Sequence, residues 1–247
     1  MTPDKNRFET ARLNAFASNG QFNIGTYKER SLHSTLKHYY EPDISRHEVP
    51  LLGHVADIFD GETVTEIQTG SFAPLRGRLA SYLSRHSVKI VFPCLSKKRI
   101  CWTDPESGDT SYSPYRTYKN EIFKLLPQLL YISEFFATEK LSVDIVICTA
   151  TKIKLLDGYG KDRKKRATAT DTVPDEVCDV ITISSKEDLC KILPFTDRDK
   201  LTLKELEALL GLKRRKLWMA VKLLAEWDIL ELYEKVKNKY IYTVKKQ

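Results

Sequence analysis

The amino-acid sequence predicts an α/β fold, a sheet flanked by helices, with a smaller unit of helices and strands at its C-terminal end. Three observations support this class: a tight hairpin between β-branched runs near residue 60, an apolar strand over 87–93, and a change of pattern after residue 194. Alternating helical and strand periods along one chain are typical of α/β domains. The expected units are a polar tail or loosely docked helix over 1–23, an α/β domain over 24–194 and a C-terminal domain over 195–247.

The composition is that of a water-soluble protein with a buried core, since 42% of the 247 residues are hydrophobic and 30% are charged. No apolar run is long enough to cross a bilayer, and the first residues do not lead into the apolar core of a secretion signal. Five cysteines without a Cys-x-x-Cys pair indicate a reducing compartment and disfavour a zinc site. We therefore expect a cytoplasmic protein without membrane contact, whose net charge of +7 permits an acidic partner.

The hairpin carries the most informative side chains. Asp60-Gly61 can supply the positive φ angles of a two-residue type I′ turn. Because side chains alternate faces along a strand, this turn would place Asp57 opposite Val64 and diagonally across from Glu66. Asp57, Glu66 and Gln68 then share one face, and any loop of even length preserves that arrangement. Two carboxylates at this separation can bind one divalent cation, and Gln68 can reach a group that the cation polarises.

This spacing resembles a known motif. Asp57, eight residues, then Glu66-x-Gln68 is similar to the pattern of the PD-(D/E)xK nuclease superfamily, which includes many restriction enzymes. The resemblance implies a mixed central sheet flanked by helices (restriction-endonuclease-like) and Mg²⁺-dependent hydrolysis of DNA phosphodiester bonds, with Mn²⁺ as a substitute. It also implies that the main-chain carbonyl of Ile67 joins the two carboxylates as a metal ligand. Gln68 stands where the family usually has lysine, so it can orient a water but brings no positive charge.

A helix predicted from Tyr27 to Tyr40 precedes the hairpin. Leu32 and Leu36 form its apolar stripe, and Glu29 falls on the same stripe. The first helix of the nuclease superfamily commonly carries a glutamate directed at the metal site, so the resemblance adds Glu29 to the ligands. The alternative is that Glu29 lies at the edge of the stripe and reaches water.

The nuclease resemblance implies a complete set of site residues. The catalytic residues are Glu29, Asp57, Glu66 and Gln68, and the metal ligands are Glu29, Asp57, Glu66 and Ile67. The positive charge that Gln68 lacks could come from Lys37, Arg76, Arg78 or Lys89, among which the sequence does not choose. His33 could contribute to the site, although the favoured interpretation is a satisfied helix histidine.

Positive charge is concentrated after the main strands. We expect an inserted hairpin over 97–118 and a basic loop over 152–170; residues 152–166 hold seven basic and two acidic side chains. A solvated loop and a phosphate-binding loop are both open interpretations. The residues expected to contact nucleic acid in this loop and on the helix after the hairpin are Arg76, Arg78, Lys161, Arg163, Lys164, Lys165 and Arg166.

The C-terminal unit has its own signature. A Thr-x-x-Glu capping box at Thr202 opens a helix that Gly211 ends, a second helix follows, and two strands flank 235–239. This order resembles a winged helix-turn-helix, whose second helix enters the major groove of DNA by its N-terminal residues. The contacts that the resemblance implies are Lys213, Arg214, Arg215, Lys216, Lys237 and Lys239. A winged helix that binds protein is the alternative.

The two resemblances together predict a metal-dependent DNA endonuclease whose winged helix aids DNA binding. RNA stays open as the partner, and a homodimer would fit because two-strand cutters of this superfamily usually pair. The alternative is a catalytically inactive, nuclease-like DNA-binding regulator or adaptor. A purely structural interaction protein is the third class.

Overall fold

The computed structural model describes residues 3–18, 31–160, 166–196, 199–237 and 239–245. The helices are α1 (Lys5–Ser18), α2 (Ser31–Tyr40), α3 (Leu75–Leu83), α4 (Leu126–Leu129), α5 (Lys186–Ile192), α6 (Leu203–Leu210) and α7 (Arg214–Glu226). The strands are β1 (His47–Leu51), β2 (His54–Phe59), β3 (Thr63–Ile67), β4 (Ser87–Thr103), β5 (Thr110–Tyr112), β6 (Arg116–Thr117), β7 (Leu141–Leu155), β8 (Thr168–Ile183), β9 (Lys200–Thr202), β10 (Leu230–Val236) and β11 (Lys239–Val244). None of the helices in these ranges combines the length and the hydropathy needed to cross a bilayer.

A large mixed sheet forms the centre of the molecule, so the predicted α/β class is confirmed. Its strands run in the order β1-β2-β3-β4-β7-β8, with the short β5 and β6 also paired to β4. β4 lies parallel to both β3 and β7, whereas the other pairs are antiparallel. Parallel neighbours need a crossover connection, and α3 provides it between β3 and β4.

Two hydrophobic clusters cover the two faces of this sheet. α1 and α2 close one face, where Leu36, Ile67 and Val146 are buried. α3, α4 and the C-terminal helices close the other, around Leu79 and Ile90. The middle of β4 is apolar on both sides because it lies between the two layers, as is usual for a central parallel strand.

The first segment is a docked helix. Within the 1–23 range predicted as a polar tail or loosely docked helix, α1 buries Phe8, Ala11 and Ala15. Arg7 donates from Nε to the carbonyl of Tyr39 at 2.6 Å and from Nη2 to that of Tyr40 at 2.8 Å. These bonds satisfy carbonyls at the end of α2, which otherwise lack helical partners.

The prediction of a type I′ turn at Asp60-Gly61 is wrong, although the loop still has two residues, Gly61 and Glu62. Asp60 is the residue before the loop: its Oδ1 accepts from the N–H groups of Glu62 at 2.9 Å and Thr63 at 2.7 Å, and Gly61 alone takes a positive φ of 104°. Aspartate favours this position because its side chain can bond the backbone two and three residues on. The register moves accordingly, and Phe59 rather than Asp57 lies opposite Val64.

Two further boundaries are corrected. The hairpin expected over 97–118 is present, since β5 pairs with the end of β4, but it continues the central sheet because β4 runs from Ser87 to Thr103 and β6 also pairs with it. The basic loop expected over 152–170 has strands at both ends, since β7 continues to Leu155 and β8 begins at Thr168. Charged and apolar residues alternate along Lys152-Ile153-Lys154-Leu155, as they do in a strand. The prediction of a loop rests on the number of its charges and not on this alternation.

The C-terminal unit is built as its local signals predict. Thr202 accepts from the main chain of Glu205 and Glu205 caps Thr202 in return, while Gly211 ends α6 with φ 64°. β10, β11 and β9 form a three-stranded antiparallel sheet beside α6 and α7. The unit shares its core with the main sheet, because α7 packs on α4 and the rings of Phe136 and Trp227 are 5.0 Å apart. The change in sequence pattern near residue 195 therefore does not coincide with a break in the hydrophobic core.

Candidate active site

The strands β2 and β3 separate at the position of the predicted carboxylates. Their backbone pairing covers Phe59–Val64 and Ile58–Thr65, and the next step of the same register is Asp57 opposite Glu66. The N–H of Ile67 donates to Oδ2 of Asp57 at 2.7 Å. A side-chain carboxylate thus takes the place of a main-chain acceptor where the backbone pairing ends, and we call this end of the β2–β3 pairing the opening.

Asp57 is contacted from the α2 side of the sheet. His33 lies on α2 and brings its Nε2 to 3.2 Å from Oδ2 of Asp57. The burial of Leu32 and Leu36 fixes the rotation of α2 and so directs His33 at the opening. About a fifth of each side chain is exposed, 22% for His33 and 17% for Asp57, so solvent and small ions reach this pair. His33 is a site neighbour that the sequence had favoured as a purely structural residue.

Glu66 is contacted from the α3 side and is almost fully buried, with 1% of its surface exposed. Nη1 of Arg78 lies 2.8 Å from its Oε2. Among the residues that the structure describes, its Oε1 has no hydrogen-bond partner. A buried carboxylate oxygen without a partner is costly, so this atom favours a proton or a cation at the site.

The protonation of Glu66 follows from this environment. Burial is the largest cause that raises its pKa, and the negative charge of Asp57 is the next; Arg78 and His33 act in the opposite direction. The balance raises the pKa of Glu66 to about 8. Two carboxylates that share a poorly solvated site are expected to hold one proton between them until a cation replaces it.

A second ion pair lies close to this opening. Nζ of Lys37, on α2, is 2.5 Å from Oε1 of Glu48 on β1. The negative charge of Glu48 also raises the pKa of Glu66, so the pair is close enough to influence the site electrostatically. The sequence reasoning missed Glu48 because nothing in its spacing sets it apart. Its positive φ of 51°, which turns it out of the regular strand, is a property of the folded chain.

Gln68 and Ile67, the other two residues predicted for the site, make contacts different from those of Asp57 and Glu66. The side chain of Gln68 donates from Nε2 to the carbonyl of Ser71 at 2.5 Å, so its amide caps the turn after β3. Its main-chain N–H bonds the carbonyl of Val91 and anchors the end of β3 to β4. The side chain of Ile67 is buried on the α2 face, while its N–H holds Asp57.

The other predicted site residues are distributed as follows. Glu29, Lys161, Arg163, Lys164 and Lys165 lie outside the described residues. Arg76 forms a two-bond ion pair with Glu134 on the surface, Arg78 turns inward to Glu66, and Arg166 is exposed. The remaining basic residues are exposed in the C-terminal unit: Lys213, Arg214, Arg215 and Lys216 where α7 begins, and Lys237 and Lys239 where β10 turns into β11.

The residues at the opening fit a small divalent cation. Asp57 and Glu66 are hard oxygen donors, and the buried Oε1 of Glu66 needs a positively charged partner. Mg²⁺ usually keeps several waters and takes only one or two protein carboxylates, so two suffice. Over the described ranges, no three His, Cys, Asp or Glu side chains converge as a metal-binding group.

The comparisons with known proteins place the chain in a family. The sequence model of the family described as "Domain of unknown function (DUF8091)" matches residues 30–184, more than half of the chain, and the chain belongs to this family. The matched range contains Asp57, Glu66 and Arg78 and ends before the C-terminal unit.

One similar protein is from Treponema pallidum (strain Nichols) and carries the name "Uncharacterized protein". It is 30% identical over 152 residues, which are 60% of this chain and 59% of the relative, so the chain spans about three fifths of that protein's length. No solved structure matches the chain.

We predict that Glu66 makes the stability of the fold depend on pH. Folding raises the pKa of Glu66 from its ordinary 4.5 to about 8, so the folded chain keeps a proton that the unfolded chain has released between these values. Its contribution is fully present below pH 4.5 and is lost as pH rises through about 8. Relative to Glu66→Gln, the free energy of unfolding of the parent should fall by at most about 1.4 kcal/mol per pH unit in that window.

The measurement is urea unfolding in EDTA at several pH values across this window. Glu62→Gln, which removes an exposed carboxyl from the neighbouring turn, is the matched control and should follow the parent. Equal pH dependence for the parent and Glu66→Gln would show that Glu66 titrates normally.

Proposed function

We propose that this chain is a metal-dependent endonuclease that hydrolyses phosphodiester bonds of DNA. The observation that carries the proposal is the buried Glu66, with an unsatisfied oxygen, beside Asp57 at the opening between β2 and β3. The element order α2-β1-β2-β3-α3-β4 supports it, since a first helix, a hairpin bearing the acidic pair, a helix and a strand is the order that the nuclease resemblance implies.

The chain's own residues would prepare the site for an ion. Asp57, Glu66 and the carbonyl of Ile67 would hold Mg²⁺, which when bound lowers the pKa of a coordinated water and offsets charge on the phosphate. Glu66 would have to release its proton to serve as a ligand, so its buried carboxylate would couple ion binding to proton release. His33 would hold Asp57 in place from the other side of the opening.

Arg78 is the best candidate for the positive charge that Gln68 cannot provide. The other basic side chains considered for this role are paired elsewhere: Lys37 with Glu48, Lys89 with Asp144 and Arg76 with Glu134. Arg78 touches Glu66 and keeps about 29% of its side chain exposed, so its guanidinium has access both to the carboxylate and to a phosphate in the opening.

The C-terminal unit supports a role in DNA binding. Its order, β9-α6-α7-β10-β11, is compatible with a winged helix-turn-helix in which α7 is the recognition helix. Lys213, Arg214, Arg215 and Lys216 are all exposed at the N-terminal end of α7, the end by which such a helix enters the groove. We therefore include duplex DNA binding by α7 in the proposal.

The nuclease activity is tested with supercoiled plasmid and Mg²⁺ or Mn²⁺. We expect the parent to nick or linearise the plasmid, and Asp57→Ala and Glu66→Ala to lower the rate by about 100-fold or more, because each removes a metal ligand. Glu62→Ala, an exposed carboxylate on the same hairpin, should retain the parent's rate.

A parent that leaves plasmid, single strands and junctions uncut with either ion would overturn the enzymatic proposal. If the same preparation still bound DNA, the alternative of an inactive, nuclease-like regulator or adaptor would be supported.

The role of α7 is tested separately by duplex binding in EDTA. We expect Lys213→Glu/Arg214→Glu to weaken the affinity and to reduce the slope of log affinity against log salt by about 0.9 for each phosphate that the protein no longer neutralises. Lys140→Glu/Lys191→Glu reverses two exposed charges elsewhere and is the charge-matched control. An unchanged salt slope in the α7 variant would indicate that the unit binds protein instead.

A further inference from the structure

A cavity lies on the distal half of the sheet, away from the acidic opening. Beyond the register shift between Leu95 and Lys97, β4 continues to Thr103 with β7 on one side and β5 and β6 on the other. The cavity holds about 410 Å³. We call it the basic groove and define it by six of its lining residues: Lys98, Trp102, Arg116, Tyr118, Lys152 and Lys154.

The register of the strands gathers the cations on one face. Lys98 is paired with Arg116 across β4 and β6, and Trp102 is paired with Lys154 across β4 and β7. Lys152 shares the face of Lys154 because the two are two residues apart on one strand. Directly paired side chains lie about 5 Å apart at Cβ, so Lys154 lies beside Trp102, and Arg116 lies beside Lys98 further along the same face. No carboxylate side chain lines the cavity among the residues that the structure describes.

Two of the basic side chains that line the groove, Lys98 and Arg99, already have partners within the protein. Nζ of Lys98 is 3.4 Å from Oε2 of Glu121, and it also lies over the ring of Tyr118 at 4.1 Å from the centroid. Arg99 reaches the same wall but is stacked on Tyr112 and bonded to Thr151. The exposed cations that reach solvent on this face are Arg116 and Lys152, and they are the ones available to neutralise a ligand.

The aromatic groups give the groove a second property. Tyr118 is exposed at its rim, with 39% of its surface accessible, and Trp102 is half-buried on its floor. Flat ring faces between positive charges bind unpaired bases, because each base stacks on a ring while its phosphate meets a cation.

We propose that the basic groove binds a single-stranded segment of nucleic acid. A duplex would present phosphates but could not use the ring of Tyr118, because its bases are already stacked on each other. An acidic peptide would meet the cations but has no group that matches the ring faces equally well. The inference extends the proposed function, since both take nucleic acid as the ligand, but binding in the groove requires neither the metal nor cleavage.

The position of the groove is compatible with strand binding in the groove and cleavage at the acidic opening. It is built on β4 and β7, the two strands that continue from the centre of the sheet, so it is rigidly joined to the acidic opening at β3. A strand held there would be fixed relative to Asp57 and Glu66 by paired strands on a single sheet. Single-stranded flaps, ends or junction arms would then be the preferred ligands over continuous duplex.

The test is fluorescence anisotropy in EDTA with labelled oligothymidylate and oligouridylate of roughly 12 nucleotides, within the span of one stacking platform. Lys152→Glu/Arg116→Glu should weaken binding about tenfold or more and reduce the salt slope by about 0.7 for each phosphate left without its cation. Tyr118→Leu should weaken it about tenfold with the salt slope unchanged, because stacking releases no counterions. Comparing the two probes shows whether the groove distinguishes DNA from RNA.

Lys140→Glu/Lys191→Glu is again the charge-matched control, and circular dichroism verifies that each variant folds. Binding by the groove variants equal to the parent, or tighter binding of a duplex of the same length than of the single strand, would overturn the inference. Asp57→Ala should bind like the parent. A parent that binds the oligonucleotide in the groove but leaves plasmid uncut would count against the nuclease alone, and a parent that cuts plasmid while the groove variants bind normally would count against the groove alone.

Discussion

The hydrogen bond from the N–H of Ile67 to the carboxylate of Asp57 determines how the centre of this protein is arranged. It ends the backbone pairing of β2 with β3 and keeps the strands apart at one step of the register. That opening admits His33 from the α2 side, while Arg78 approaches Glu66 from the α3 side.

The burial of Glu66 gives the opening its chemistry. Arg78 and His33 lie beside the two carboxylates, but burial and the charge of Asp57 outweigh them and raise the pKa of Glu66. The unpartnered Oε1 of Glu66 is the observation on which the proposed metal site rests. In the proposed function, the same two side chains link the stability of the fold, proton binding and ion binding.

The parts of the structure that the sequence predicts are those fixed by short-range rules. The capping box of α6 depends only on local spacing. The sequence prediction put Asp57 opposite Val64 and on one face with Glu66; the register instead brings Asp57 opposite Glu66, and the two acids are contacted from different helices, Asp57 by His33 on α2 and Glu66 by Arg78 on α3. The inward turn of Arg78 has a weak signal, since it lies four residues before the buried Tyr82. Glu48 and the length of β4 have none, because a positive φ and a pairing with distant β7 depend on the whole fold.

The ionisation of Glu66 itself tests the central claim most directly. Carbon-13 NMR of its labelled carboxyl group, read across pH with and without Mg²⁺, reports the proton and the ion on the same atom. We expect a midpoint near pH 8 in EDTA, as burial and Asp57 require, and a clear fall of that midpoint when Mg²⁺ is added. A midpoint near the ordinary 4.5 in EDTA, or one that Mg²⁺ leaves unchanged, would contradict a shared carboxylate site that a divalent cation completes.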